Sequence, residues 1–107
     1  AEVQSVAVGP SGDIVTGHED RTVNVWRDNV HFLTCNGHEE AVCSVAVSPL
    51  DNTVVSGSCD RTAKVWSTST GACLATLCGH TDAIAAVCVL DNGDVVTGSC
   101  DTTVRVW

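Results

Sequence analysis

Apolar residues along this chain come in short bursts separated by turn-forming residues, and helical spacing is not sustained anywhere. Val42–Val47 and Ile84–Val89 are near-continuous apolar runs, the pattern expected of a short strand buried on both faces. Ser5-Val6-Ala7-Val8 is a run of the same type. Turns are expected after these runs, at Gly9-Pro10-Ser11-Gly12-Asp13, Ser48-Pro49-Leu50-Asp51-Asn52 and Asp91-Asn92-Gly93-Asp94. Asn92-Gly93 is a hairpin signal because both residues tolerate positive φ. Second strands are expected at 14–17, Val54–Ser58 and Val95–Ser99. Third strands at 22–26, 62–66 and 103–107 alternate polar and apolar residues. Fourth strands at 31–34 and 72–77 complete eleven in all.

The strands recur as a repeat. Residues 16–26, 56–66 and 97–107 align without gaps, with Gly17, Gly57 and Gly98 in register. Asp20, Asp60 and Asp101 also coincide, as do Thr22, Thr62 and Thr103, and Trp26, Trp66 and Trp107. The Trp-to-Trp spacings are 40 and 41 residues, inside the ~40–45 expected of a four-stranded propeller blade. The one extra residue falls near Pro49-Leu50-Asp51-Asn52, in a turn, where a length change is tolerated.

Composition sharpens this picture. The chain is 44% hydrophobic and 17% charged, the balance of a folded domain and not of a disordered segment. No apolar stretch approaches the ~18 residues of a membrane span. Net charge is −8, which disfavours a phosphate backbone as partner; the acids sit mainly in turns, where a solvated rim is the plain reading. The seven cysteines are an odd number with no CxxC pair, so they are read as reduced thiols of an intracellular protein and not as a zinc site. The sequence has no Met, so the chain is expected to start partway through a longer protein or after processing.

At these residues the chain resembles the WD-repeat β-propeller family, over essentially its whole length. Gly37-His38 and Gly79-His80 match the family's Gly-His pair, and Trp66 and Trp107 lie 28 and 27 residues after those histidines. Asp60 and Asp101 match its tight-turn Asp. Two departures stand out: Arg27 and Ser67 follow Trp where the family has Asp, and the first repeat has no Gly-His pair. The resemblance implies one buried hydrogen-bonded chain through His38, Ser56, Asp60 and Trp66, and another through His80, Thr97, Asp101 and Trp107. A buried Trp N–H needs an acceptor, a Ser or Thr hydroxyl supplies it, and His bridges that hydroxyl to Asp. Each set resembles a nucleophilic triad, but it repeats with the blade and its Trp occupies the hydroxyl. Gly17-His18 aligns with Gly57-Ser58, so His18 is expected at a strand end on the rim, and the chain around Thr16, Asp20 and Trp26 is expected to be incomplete.

The expected fold is all-β: four-stranded antiparallel propeller blades at about 1–35 and 36–78, and a third at about 79–107 lacking its outer strand. Rings close with ~4–8 blades, and the family most often uses seven. Two complete blades plus three strands are therefore expected to be part of a longer ring, or to be completed by further copies or a partner chain. The resemblance places docking on the loops before the first strand and between the second and third. One loop set holds Glu39, Glu40, Thr81 and Asp82; the other holds Arg21, Arg61, Thr102, His18, Ser58 and Ser99. Arg21 and Arg61 are of the type common at binding hot spots, with solubilising rim residues as the plain alternative. Phe32, on an outer strand, is expected to be packed. The function expected is a non-catalytic protein–protein interaction scaffold of an intracellular complex, cytoplasmic in the first place with the nucleus left open. No catalytic, metal or cofactor residues are assigned, and neither nucleic acid nor membrane is a partner. The alternatives are an accessory propeller of a larger enzyme, a ubiquitin- or modified-peptide-binding propeller, and a self-assembling repeat protein.

Overall fold

The computed structural model describes residues 3–10, 12–28, 30–51 and 53–107. Ser11 and Asn52, assigned to turns above, lie outside these. Among the described residues are eleven strands and no helix. The first sheet runs β1 (Val3–Val8), β2 (Ile14–His18), β3 (Thr22–Arg27) and β4 (Val30–Asn36), antiparallel and in chain order. The second repeats it with β5 (Val42–Val47), β6 (Val54–Ser58), β7 (Ala63–Trp66) and β8 (Cys73–Leu77). The third holds β9 (Ile84–Val89), β10 (Val95–Ser99) and β11 (Val104–Val106). These sheets are propeller blades. Registers repeat as well: Ile14 faces Trp26, Val54 faces Trp66, and Val95 exchanges backbone hydrogen bonds with Trp107 at 3.4 and 2.8 Å.

The sheets meet along their first strands, β1 beside β5 and β5 beside β9, so they fan out from one line. Their cores lie between sheets. Val15, Val23, Val25 and Cys35 of the first close on Val42, Val45, Val54 and Trp66 of the second. Val55 and Ala63 of the second close on Ile84, Val87 and Val95 of the third. Two glycines permit this approach. A Cβ on Gly17 would lie 2.7 Å from Val42 Cγ1, and one on Gly57 would lie 2.4 Å from Ile84 Cγ2. Gly98, the third member of the series, has nothing within 4 Å of that point. Hydroxyls tie the same joints: Ser5 Oγ accepts from the Val45 N–H (3.3 Å) and Ser44 Oγ from the Val87 N–H (3.1 Å). Ala86 stands at the third such position.

Val42–Val47 packs on both faces: Val42, Val45 and Val47 lie against the first sheet's core and Ala46 against the third sheet's, with Val42 and Val45 the most deeply buried. Ile84–Val89 is covered on the second sheet's side, through Ile84 and Val87, while Ala85, Ala86 and Cys88 are exposed. A one-residue bulge recurs in each blade. Val3 faces His18 while Ser5 faces Gly17; Val42 faces Ser58 while Ser44 faces Gly57; Ile84 faces Ser99 while Ala86 faces Gly98. Gln4, Cys43 and Ala85 are thus the extra residues, and each resets which side chains point inward.

Candidate functional site

The turn between the second and third strands is built alike in every blade. Ser58 N–H donates to Thr62 O (3.1 Å) and Arg61 N–H to Ser58 O (3.3 Å), a three-residue hairpin loop whose last residue is left-handed. Arg21, Arg61 and Thr102 occupy that place with φ of 77°, 74° and 71°, and all three are exposed. The preceding Asp holds the loop. Asp60 Oδ1 accepts from the Thr62 N–H (2.9 Å) and hydroxyl (2.6 Å), and Oδ2 from His38 Nδ1 (2.8 Å) and the Glu39 N–H (3.0 Å). Asp101 does the same with Thr103, His80 (2.8 Å) and the Thr81 N–H (3.0 Å). One carboxylate therefore locks two rim loops together. Burial alone would raise the Asp60 carboxyl, but the bonds from Thr62, Glu39 and His38 outweigh it and hold it below its ordinary value.

Behind each turn runs a buried polar chain. Ser56 Oγ accepts from Trp66 Nε1 (2.7 Å) and donates to His38 Nε2 (2.6 Å), whose Nδ1–H donates to Asp60. This direction requires a neutral imidazole with its proton on Nδ1. Burial, only partly offset by Asp60, lowers the His38 pKa and favours that form. In the next blade Thr97 Oγ1 takes the same two partners, Trp107 Nε1 at 3.0 Å and His80 Nε2 at 2.7 Å. The glycine before each His fits against the indole: a Cβ on Gly37 would lie 2.9 Å from Trp66 Cη2.

His18 departs from its expected place. It is buried, not a rim contact, and its Nε2 lies 2.6 Å from Thr16 Oγ1, which also accepts from Trp26 Nε1 at 3.0 Å. Its ring thus fills, from β2 itself, the position that a Gly-His histidine fills in the other blades. Among the described residues, Asp20 accepts its hydrogen bonds from Thr22 (3.2 and 2.6 Å). Ser58 is also no contact residue. It is fully buried, and its hydroxyl donates to the Glu40 and Ala41 carbonyls, both at 2.9 Å. Ser99 is half-buried and donates likewise to Asp82 and Ala83 carbonyls (3.1 and 2.9 Å). Both serines clamp the loop that leads into the first strand of their own blade. Glu39, Glu40, Thr81 and Asp82 are exposed, so the candidate docking face carries these four with Arg21, Arg61 and Thr102.

Two features were missed from sequence. Arg27 forks onto Asp13 through Nε (3.0 Å) and Nη2 (2.8 Å), and its guanidinium lies 4.0 Å over the Phe32 ring. The Asp13 bond raises the Arg27 pKa further. An Arg where Asp is usual after Trp was the available signal. Phe32 is 45% exposed, not packed in the core, and Arg27 is its cover. The second feature is a shallow cavity of about 220 Å³ beside the His38 chain, lined by Gly37, Glu39, Asp60, Thr62, Lys64 and Thr76. It falls below the ~300 Å³ at which small-molecule sites begin. The described residues hold no His, Cys, Asp or Glu group arranged to bind a metal.

Comparison with known proteins agrees with this geometry. The family described as "WD domain, G-beta repeat" matches residues 1–27, 29–67 and 71–107. The nuclear distribution protein PAC1 of Candida tropicalis is 38% identical over 71 residues, which is 64% of this chain and 14% of that protein. The phospholipase A-2-activating protein of Xenopus laevis is 39% identical over 83 residues, 76% of this chain and 10% of that protein. The solved structures of U3-55K and of the RRP9 WD40 repeats each superpose on the whole chain with a TM-score of 0.94 at 32% identity; the chain spans 34% of each. With three matched repeats, three repeated sheets and the same buried polar chain in the second and third blades, the protein belongs to the WD-repeat β-propeller family.

Proposed function

We propose that this chain is a non-catalytic protein-binding scaffold whose sheets stand as consecutive blades of a larger ring. The observation that carries the reading is the repeated rim turn. In each blade an exposed residue after the Asp is fixed in a left-handed conformation. In the second and third blades the Asp itself is pinned by four hydrogen bonds. Such a face is rigid before a partner arrives, which lowers the ordering cost of association. Arg21 and Arg61 present the residue type most often found at hot spots. The Ser56 and Thr97 hydroxyls are fully buried and doubly bonded, which supports structure over nucleophilic chemistry in the Ser/His/Asp sets. The net charge of −8 supports a protein partner over nucleic acid. Relatives named for nuclear distribution and the U3-55K neighbour support an intracellular complex.

The test is a quantitative pull-down from intact protein with Arg21→Ala and Arg61→Ala, singly and together, after checking that the melting temperature is unchanged. Capture is expected to weaken ~5-fold or more for a hot-spot Arg. Unchanged capture by the double variant would remove these residues from the docking face. A second reading, copies of the chain completing the ring between themselves, is favoured by matching surfaces. Val3 and Val6 are 48% and 60% exposed, whereas their equivalents Val42 and Val45 fill the space over Gly17. The open space over Gly98 would receive them. Native mass measurement separates the readings, because self-assembly requires a defined oligomer without any partner.

A further inference from the structure

The second blade alone brings two thiols together at the rim. Cys43 is the bulge residue of β5, and Cys59 precedes the turn Asp after β6. Their Sγ atoms lie 2.9 Å apart, ~0.9 Å beyond a disulfide bond length. The matching positions are Gln4 and Glu19 in the first blade, and Ala85 and Cys100 in the third, so no other blade repeats the pair. The backbone around it is fixed: Cys59 N–H donates to Ala41 O at 3.0 Å, and Ser58 Oγ donates to the same carbonyl at 2.9 Å. Both thiols are partly exposed, so a small oxidant can reach them. We propose that Cys43 and Cys59 are a redox modification site, closing to a reversible disulfide when the protein meets a peroxide.

The chemistry balances with hydrogen peroxide as oxidant. The Cys59 sulfur attacks one peroxide oxygen, the O–O bond breaks, and Cys59 becomes a sulfenic acid with release of water. Cys43 sulfur then attacks the Cys59 sulfur, the S–O bond breaks, and a second water leaves with the Cys43 proton. Two thiols are oxidised, one peroxide is reduced to two waters, and a dithiol restores the starting pair by exchange. The balance is the same whichever sulfur attacks first. Burial, and then the hydrogen-bonded Cys59 thiol, push the Cys43 pKa up, which disfavours Cys43 as the first to react, and its proton passes to the departing hydroxide in the second step. Cys100 is the competing partner, because it lies close enough to Cys43 to act on it electrostatically.

The experiment treats the intact protein with a small excess of hydrogen peroxide, blocks remaining thiols, digests without reductant and maps linked peptides by mass spectrometry. The expected result is a peptide carrying Cys43 joined to one carrying Cys59, lighter by two hydrogens, and lost on dithiothreitol treatment. Cys100→Ser should keep the link, and Cys43→Ser or Cys59→Ser should abolish it. The proposal is overturned if Cys43 and Cys59 remain separate while exposed thiols such as Cys73 oxidise. It is equally overturned if the dominant link joins Cys100 to either residue. Because the first readout is made on the unaltered protein, a variant that fails to fold leaves the outcome decided.

Discussion

Replacing Gly57 by Ala tests whether the blades are held apart by a glycine-width gap. The added Cβ would lie 2.4 Å from Ile84 Cγ2, 2.8 Å from Val87 Cγ1 and 3.1 Å from Ile84 Cβ. Carbon atoms rest at ~3.5–4.0 Å, so the second and third sheets must part by about an ångström. Ile84 and Val87 are buried and β-branched, with few rotamers to yield. Overpacking of this kind costs ~1–3 kcal/mol, and losing a strand glycine returns ~0.5–1 kcal/mol. The distances lie at the hard end of overpacking, so the expected net loss is about 2 kcal/mol. For a domain near this size that lowers the melting temperature by roughly 8 °C or more. Gly98→Ala is the internal control: it occupies the same register position with nothing within 4 Å. In the Ala1–Trp107 polypeptide it should be neutral or slightly stabilising. Urea denaturation followed by tryptophan fluorescence reads both variants. Equal stability of the two, or a Gly57→Ala variant as stable as the parent, would refute the reasoning. In a protein where a further blade covers Gly98, that substitution should become as costly as Gly57→Ala.

Ser56→Ala leaves the Trp66 N–H and His38 Nε2 buried without their shared partner, and should cost about 2 kcal/mol in denaturant unfolding. Stability should also fall with acid in two stages. His38 has a folded pKa below its ordinary 6.5, so its contribution is complete above that pH and is lost as pH falls through the folded value. Asp60, held below 3.8, adds a second loss under that pH. A melting temperature that is flat from pH 8 to 5 would contradict the His38 assignment. Arg61→Gly relieves a left-handed non-glycine residue, and thermal melts should show a gain of about 1 kcal/mol while partner capture weakens. Arg27→Lys keeps the charge but loses the fork onto Asp13 and the cover over Phe32, so the protein should melt earlier.

Much of the strand order was legible because the repeat displays itself three times. Trp26, Trp66 and Trp107 set the period, and the residues between fall into register without gaps. What escaped was local. A one-residue bulge at Cys43 leaves no mark on composition, yet it decides that Val42 and Val45 face inward while Cys43 faces Cys59. His18 was unreadable for a related reason: sequence offset says which strand a side chain lies on, not that its ring folds back onto Thr16 two residues away. Ser58 reads as a surface turn residue until its hydroxyl is seen capping two carbonyls of another loop. The contact of Arg27 on Asp13 belongs to packing, and its mark in the sequence is the Arg that stands where Asp is usual after Trp, which does not name the partner.

The rim turns separate two demands that usually compete for the same residues. Shape is set by Asp60 and Asp101, by His38 and His80, and by the threonines that follow each Asp. Among the described residues, no hydrogen bond from the side chain after the Asp supports that shape, and this exposed side chain can vary at the cost of a modest backbone penalty. Positions 21, 61 and 102 therefore act as interchangeable letters in a fixed frame. Arg, Arg and Thr spell one surface here, and another surface could be written on the same blades without disturbing the joints between them.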